Sequence, residues 1–80
     1  MLTGPQIRCA RAALGWSLAD LAERSAVSLS TIRRAEAKIG VPEINLPNLE
    51  ALKSTFEAAG IEFIGSPDDR PGIRIGTRKP

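Results

Sequence analysis

Ser17-Leu18-Ala19-Asp20-Leu21-Ala22-Glu23-Arg24-Ser25, then Ala26-Val27, then Ser28-Leu29-Ser30-Thr31-Ile32-Arg33-Arg34-Ala35-Glu36-Ala37-Lys38 is the stretch on which the architecture turns. Ser17 followed three residues later by Asp20 is a capping pattern, in which a hydroxyl accepts an orphan N–H at a helix start and a carboxylate reaches back to the cap. Leu18, Leu21 and Ala22 then share one face, which predicts a helix ending near Ser25. Ser28 supplies a second cap, and a third helix is predicted through Thr31, Ile32, Ala35, Glu36 and Ala37. A link as short as Ala26-Val27 cannot turn two helices antiparallel. They must cross steeply, in the manner of a helix-turn-helix.

Upstream, Ile7, Ala10 and Leu14 fall at i, i+3 and i+7, which predicts a first helix over 4–14 with Pro5 in its opening turn and Gly15 as its left-handed stop. Cys9 is expected to pack as a small apolar residue. Downstream, the segment 39–46 carries Gly40, Pro42 and Asn45 and reads as a connector. Leu49, Leu52, Phe56 and Ala59 then predict a fourth helix after Pro47, ended by Gly60. Beyond it the period changes to two. Ile61-Glu62-Phe63-Ile64 and Gly72-Ile73-Arg74-Ile75-Gly76 read as two short strands of a hairpin, joined by a long loop over 65–71. A lone hairpin is marginal in water and must pack on the helices or on a second copy of the chain. The last residues, 77–80, read as a frayed basic tail. The fold class expected is therefore mainly α: about four helices with a short C-terminal β-hairpin, divided into a helical domain over 1–60 and a hairpin and tail over 61–80.

The chain has 80 residues, 42% hydrophobic and 25% charged, which predicts one small soluble domain. No apolar run approaches the roughly 20 residues needed to span a bilayer, and the N-terminus lacks the pattern of a secretory signal, so a cytoplasmic protein without membrane contact is expected. There is no His, no Tyr and a single Cys. Disulfide scaffolds and Cys/His zinc sites are excluded within one chain, and the commonest general base is missing. Neither catalysis, nor a metal, nor a cofactor is expected. The Asp68-Asp69 pair sits among turn formers and reads as solvated turn chemistry.

Charge is unevenly placed. Residues 1–40 hold six basic and three acidic side chains for +3, residues 41–69 hold one and six for −5, and residues 70–80 add +4. A local positive face attracts a polyanion whatever the remainder carries. At about 100° per residue, with Ile32 as the buried reference, Ser30, Arg33, Arg34, Ala37 and Lys38 project to the opposite half of the third helix. That face is basic and free of acid groups. Glu36 falls near the Ile32 side, where a carboxylate needs a cation, and Arg11 is the expected partner. A basic helix of this kind suits the major groove of duplex DNA, where Arg bonds guanine bidentately and Ser bonds several base edges. The helix start at Ser17 suits a backbone phosphate.

Gln6-Ile7-Arg8-Cys9-Ala10-Arg11-Ala12-Ala13-Leu14-Gly15-Trp16-Ser17, Leu21-Ala22-Glu23-Arg24, Val27-Ser28, Ser30-Thr31-Ile32-Arg33-Arg34 and Glu36 together resemble the Cro/C1-type (XRE family) helix-turn-helix domain. The likeness covers about residues 3–59. The fourth helix followed by Ile61-Glu62-Phe63-Ile64 is similar to short bacterial and phage-like members. The resemblance implies a lambda-repressor-like bundle that binds operator DNA, commonly as a homodimer, and regulates transcription in the bacterial cytoplasm. It implies the helix around 28–38 as recognition helix, with Leu29, Ser30 and Arg34 facing bases, Arg33 and Lys38 flanking them, Ser17 and Arg11 approaching phosphates, and Arg11 paired with Glu36.

Three positions depart from the family pattern. Leu18 stands where a Gln is usual, and Ala26 occupies the turn position usually held by Gly, where a left-handed conformation costs a residue with a Cβ about 1 kcal/mol. Leu29 is apolar at a readout position, suited either to a thymine methyl or to packing at the helix start. Trp16, after a helix-ending glycine, reads as a plug between helices. Leu18 and Leu29 also motivate an alternative: a protein-interaction module, or an antitoxin-like subunit binding DNA and a protein partner, on the same fold.

Overall fold

The computed structural model describes residues 2–76, so the expected basic tail at 77–80 lies outside the described residues. Four helices, α1 (Gly4–Leu14), α2 (Leu18–Ser25), α3 (Leu29–Ala37) and α4 (Leu46–Ala58), precede two strands, β1 (Ile61–Ser66) and β2 (Asp69–Ile75).

Capping chemistry sets the helix bounds. Ser17 Oγ accepts the Asp20 N–H at 3.0 Å while Asp20 Oδ2 accepts the Ser17 N–H at 2.9 Å, which starts α2. Ser28 Oγ accepts the Thr31 N–H at 3.3 Å to start α3. Gly15, at φ 70, ends α1 in the left-handed conformation. Two caps were not expected. Thr3 and Gln6 form a full capping box at α1, and Asn45 caps α4, so that helix begins at Leu46 with Pro47 inside its first turn rather than after it.

Leu2, Ile7, Ala10, Leu21, Val27, Ile32, Ala35, Leu49, Leu52, Phe56 and Ile61 form one buried cluster. Phe56 is its hub: Trp16 stacks on it with ring centroids 5.8 Å apart, and Phe63 meets it edge-on at 5.9 Å. Cys9 is exposed, which corrects the expectation that it packs. It lies about 200° around α1 from Ile7, on the far side from the core stripe.

The hairpin also differs from expectation. Its strands continue through most of the proposed loop, pairing Ile61 with Ile75, Phe63 with Ile73, Ile64 with Gly72 and Ser66 with Asp69, which leaves only Pro67 and Asp68 at the turn. Between the last two pairs, Arg70 and Pro71 oppose the single residue Gly65. This is a bulge, and it reconciles Pro71 with a strand. Gly65 at φ 76 and Arg70 at φ 50 carry its left-handed geometry. Register puts Ile61, Phe63, Ile73 and Ile75 on one face and Glu62, Ile64, Gly72 and Arg74 on the other. The first face packs on the core through Ile61, Phe63 and Ile73.

Gln6 locks the hairpin to the helices. Its Nε2 donates to Gly72 O at 2.8 Å and to Ile64 O at 3.2 Å, while Oε1 accepts the Thr3 N–H at 2.9 Å. One buried amide therefore serves both the α1 cap and the sheet. No helix among the described residues is long and apolar enough to cross a membrane.

Candidate nucleic-acid interface

The site is built on α3, whose inner side is Thr31, Ile32, Ala35 and Glu36, all buried. Ser30, Arg33, Arg34, Ala37 and Lys38 are all exposed on its outer side. The 3.6-residue period produces this division directly: a nine-residue helix that buries Ile32 and Ala35 must turn the residues between them outward.

The ends of α3 are held from both directions. At its start, Ser25 Oγ donates to Leu21 O at 2.7 Å and accepts the Val27 N–H at 3.2 Å, fixing the link to α2. Within that link Ala26 takes φ 61 and ψ 21, the left-handed conformation expected at this position. At the other end, Arg8 Nη1 donates to Glu36 O at 2.6 Å, placing a cation on the carbonyl end of the helix. Gly4 lies so close to this end that an added Cβ would collide with the carbonyls of Lys38 and Ala35.

Arg11 and Glu36 form the expected ion pair. Arg11 Nε donates to Glu36 Oε2 at 2.7 Å, Nη2 donates to Oε1 at 3.1 Å, and Nη1 donates to Trp16 O at 3.0 Å. The hydrogen bonds to Glu36 raise the Arg11 guanidinium above its ordinary value. With three nitrogens committed to the protein, Arg11 fastens α1 to α3; the structure does not bring it to the exposed face.

Among the remaining candidates, Arg34 Nη2 lies 3.4 Å from Thr31 Oγ1, which also accepts the Ser28 hydroxyl at 2.7 Å. Arg33 makes neither an ion pair nor a side-chain hydrogen bond among the described residues. Lys38 stands 3.9 Å from Glu43, both well exposed, a surface pair of little energetic weight. Ser17 starts α2 but shares that start with Asp20, whose carboxyl is held below its usual range by the backbone N–H and the hydroxyl of Ser17. That acid group makes the α2 start a poorer phosphate seat than the bare cap suggests.

The two leucines separate. Both are half-buried, but Leu18 packs against the core whereas Leu29 lies outside that packing. Among the described residues the exposed large hydrophobic side chains are Ile39, Leu46 and Ile75, of which only Ile75 was placed in an element by the sequence, as part of the second strand. Trp16 is half-buried against Phe56, with the Arg24 guanidinium 4.6 Å from its ring centroid on a cation–π contact. Beside it lies an open cleft lined by Trp16, Arg24, Ser54, Thr55, Ala58 and Ala59, with Arg24 its one titratable group. Among the described residues no group of three or more His, Cys, Asp or Glu side chains is placed to hold a metal ion.

Arg8, Gln6, Gly4 and Ser25 are the positions that sequence reasoning missed. Arg8, Gly4 and the hairpin bonds of Gln6 act through contacts across the fold. Local signals existed for Ser25, a hydroxyl at a helix end, and for Gln6, three residues after Thr3 in a capping-box spacing.

Compared with known proteins, the chain matches no family model, no curated protein and no solved structure.

Proposed function

We propose that this protein is a sequence-specific duplex-DNA-binding regulator of transcription, with α2, the Ala26–Ser28 link and α3 acting as a helix-turn-helix in a lambda-repressor-like bundle. The observation that carries the reading is the outer face of α3, where Ser30, Arg33, Arg34 and Lys38 are exposed together and no carboxylate stands within the helix face itself. The major groove, about 12 Å wide, admits one helix and presents guanine acceptors to Arg. Ser30 and Arg34 face bases, Leu29 meets a thymine methyl, Arg33 and Lys38 supply charge, and the protein acts as a homodimer without cofactor or catalysis. The Cro/C1-type resemblance supports the same assignment.

The alternative, a protein-interaction or antitoxin-like subunit, drew on an apolar patch from Leu18 and Leu29. Leu18 turns part of its side chain to the core and is only half-buried, as is Leu29, and the exposed basic face of α3 favours the DNA reading.

Affinity for duplex DNA measured over a salt series tests the proposal. The logarithm of the binding constant is expected to fall linearly with the logarithm of salt, by about 0.9 for each phosphate neutralised. Arg34→Ala is expected to weaken binding to the preferred duplex and to flatten preference among sequences. Unchanged affinity and preference in that variant would remove α3 as the recognition helix.

A further inference from the structure

We propose that Thr31 is a positioning residue that holds Arg34 for base readout, and that the adjacent arginines differ in role: Arg34 reads sequence while Arg33 supplies charge. The inference rests on the duplex-DNA reading and assigns each side chain from its own contacts. Thr31 is buried at 8% exposure, so its hydroxyl is a fixed point rather than a mobile surface group. The β-branched side chain has few rotamers available on a helix. Its Oγ1 accepts the Ser28 hydroxyl at 2.7 Å, and Ser28 is itself anchored as the α3 cap through the Thr31 N–H. The Arg34 Nη2 at 3.4 Å points to this same oxygen, which tethers the guanidinium one turn back along the helix.

Arg33 has no such tether among the described residues. A free, long cation meets phosphates anywhere along its reach, whereas bidentate base recognition requires a fixed fork. Ordering an unrestrained side chain at an interface costs the equivalent of about 3- to 10-fold in affinity, and a tether formed beforehand removes most of that cost. The cost falls only on the duplex in which Arg34 engages a base, so the tether acts on discrimination.

The test uses the whole protein, the duplex it selects from a random library, and a scrambled duplex of equal length. Thr31→Val, which keeps shape and loses the hydroxyl, is expected to lower the selected-to-scrambled affinity ratio about 3- to 10-fold while the salt slope is kept. Thr31→Ser restores the hydroxyl and is expected to restore the ratio. Arg33→Ala is expected to weaken both duplexes alike and to reduce the salt slope by about 1. Should Thr31→Val melt early, the Arg34→Met background decides: there Thr31→Val is expected to cause no further loss of ratio, because no donor at position 34 is left for the tether to hold. An unchanged ratio in Thr31→Val, or an equal further loss in Arg34→Met, would overturn the positioning role while leaving DNA binding intact. Failure of the unmodified protein to select any sequence would overturn the DNA reading itself, and with it this inference.

Discussion

Ala26 holds φ 61 between two helices, a conformation in which its Cβ crowds the following carbonyl. Replacing it with Gly removes the crowding but gives the unfolded chain more freedom, so the expected net gain is only about 0.5 kcal/mol, read as a slightly raised urea midpoint at unchanged slope. Arg11 presents the opposite case. Its guanidinium faces Glu36, whose side chain is 8% exposed, and Arg11→Ala leaves that carboxylate buried without a cation. The expected loss is about 2–4 kcal/mol by denaturant melting. A much smaller loss would mean that water replaces the guanidinium. At Gly4 the constraint is space, because Gly4→Ala drives a methyl into the backbone carbonyls at the end of α3. Overpacking against backbone costs about 1–3 kcal/mol.

In α2, the cap gives Asp20 a pH-dependent part in stability. Asp20 is held below its ordinary value by Ser17, so the folded state binds its proton less tightly than the unfolded chain does. Its contribution to stability is present above the unfolded carboxylate value of about 3.9 and is lost as pH falls through the lower folded value. Stability of Asp20→Asn is therefore expected to fall less steeply than the unmodified protein below about pH 4. Arg11 works in the other sense: its raised value means stability present below the ordinary guanidinium range and lost only above it, with no effect near neutrality. Elements also show what the sequence could reveal. Ser17-Asp20, Ser28 and Gly15 each act within a few residues, so α1 to α3 were readable from local chemistry. Gln6 bonds residues 58 and 66 positions away, and no local pattern reports such a contact. The hairpin was misread for a related reason: Pro71 argues against a strand unless the bulge opposite Gly65 is known. Gln6→Ala is expected to leave hairpin carbonyls and the Thr3 N–H without their partner, speeding amide exchange across β1 and β2 more than across α3.

Across the whole molecule, the exposed basic face of α3 meets the acidic 41–69 segment only at its end, where Lys38 stands 3.9 Å from Glu43 among the described residues. The basic face of α3 was legible in the sequence because helical periodicity alone places Ser30, Arg33, Arg34 and Lys38 opposite Ile32, and all four are exposed. The clamps that hold this face rigid, Arg8 on Glu36 O and Gly4 against Lys38 and Ala35, were not legible, since they join α1 to α3 across the fold. A rigidly held helix with a free outer face is what base readout requires. The measurement that bears most directly on this account is the affinity of the purified protein for the DNA upstream of its own coding region, against random duplex DNA, at several salt concentrations. Tighter, salt-sensitive binding to the upstream DNA is expected. Equal and weak binding to both would contradict it, leaving α3 with a basic surface but no sequence to read.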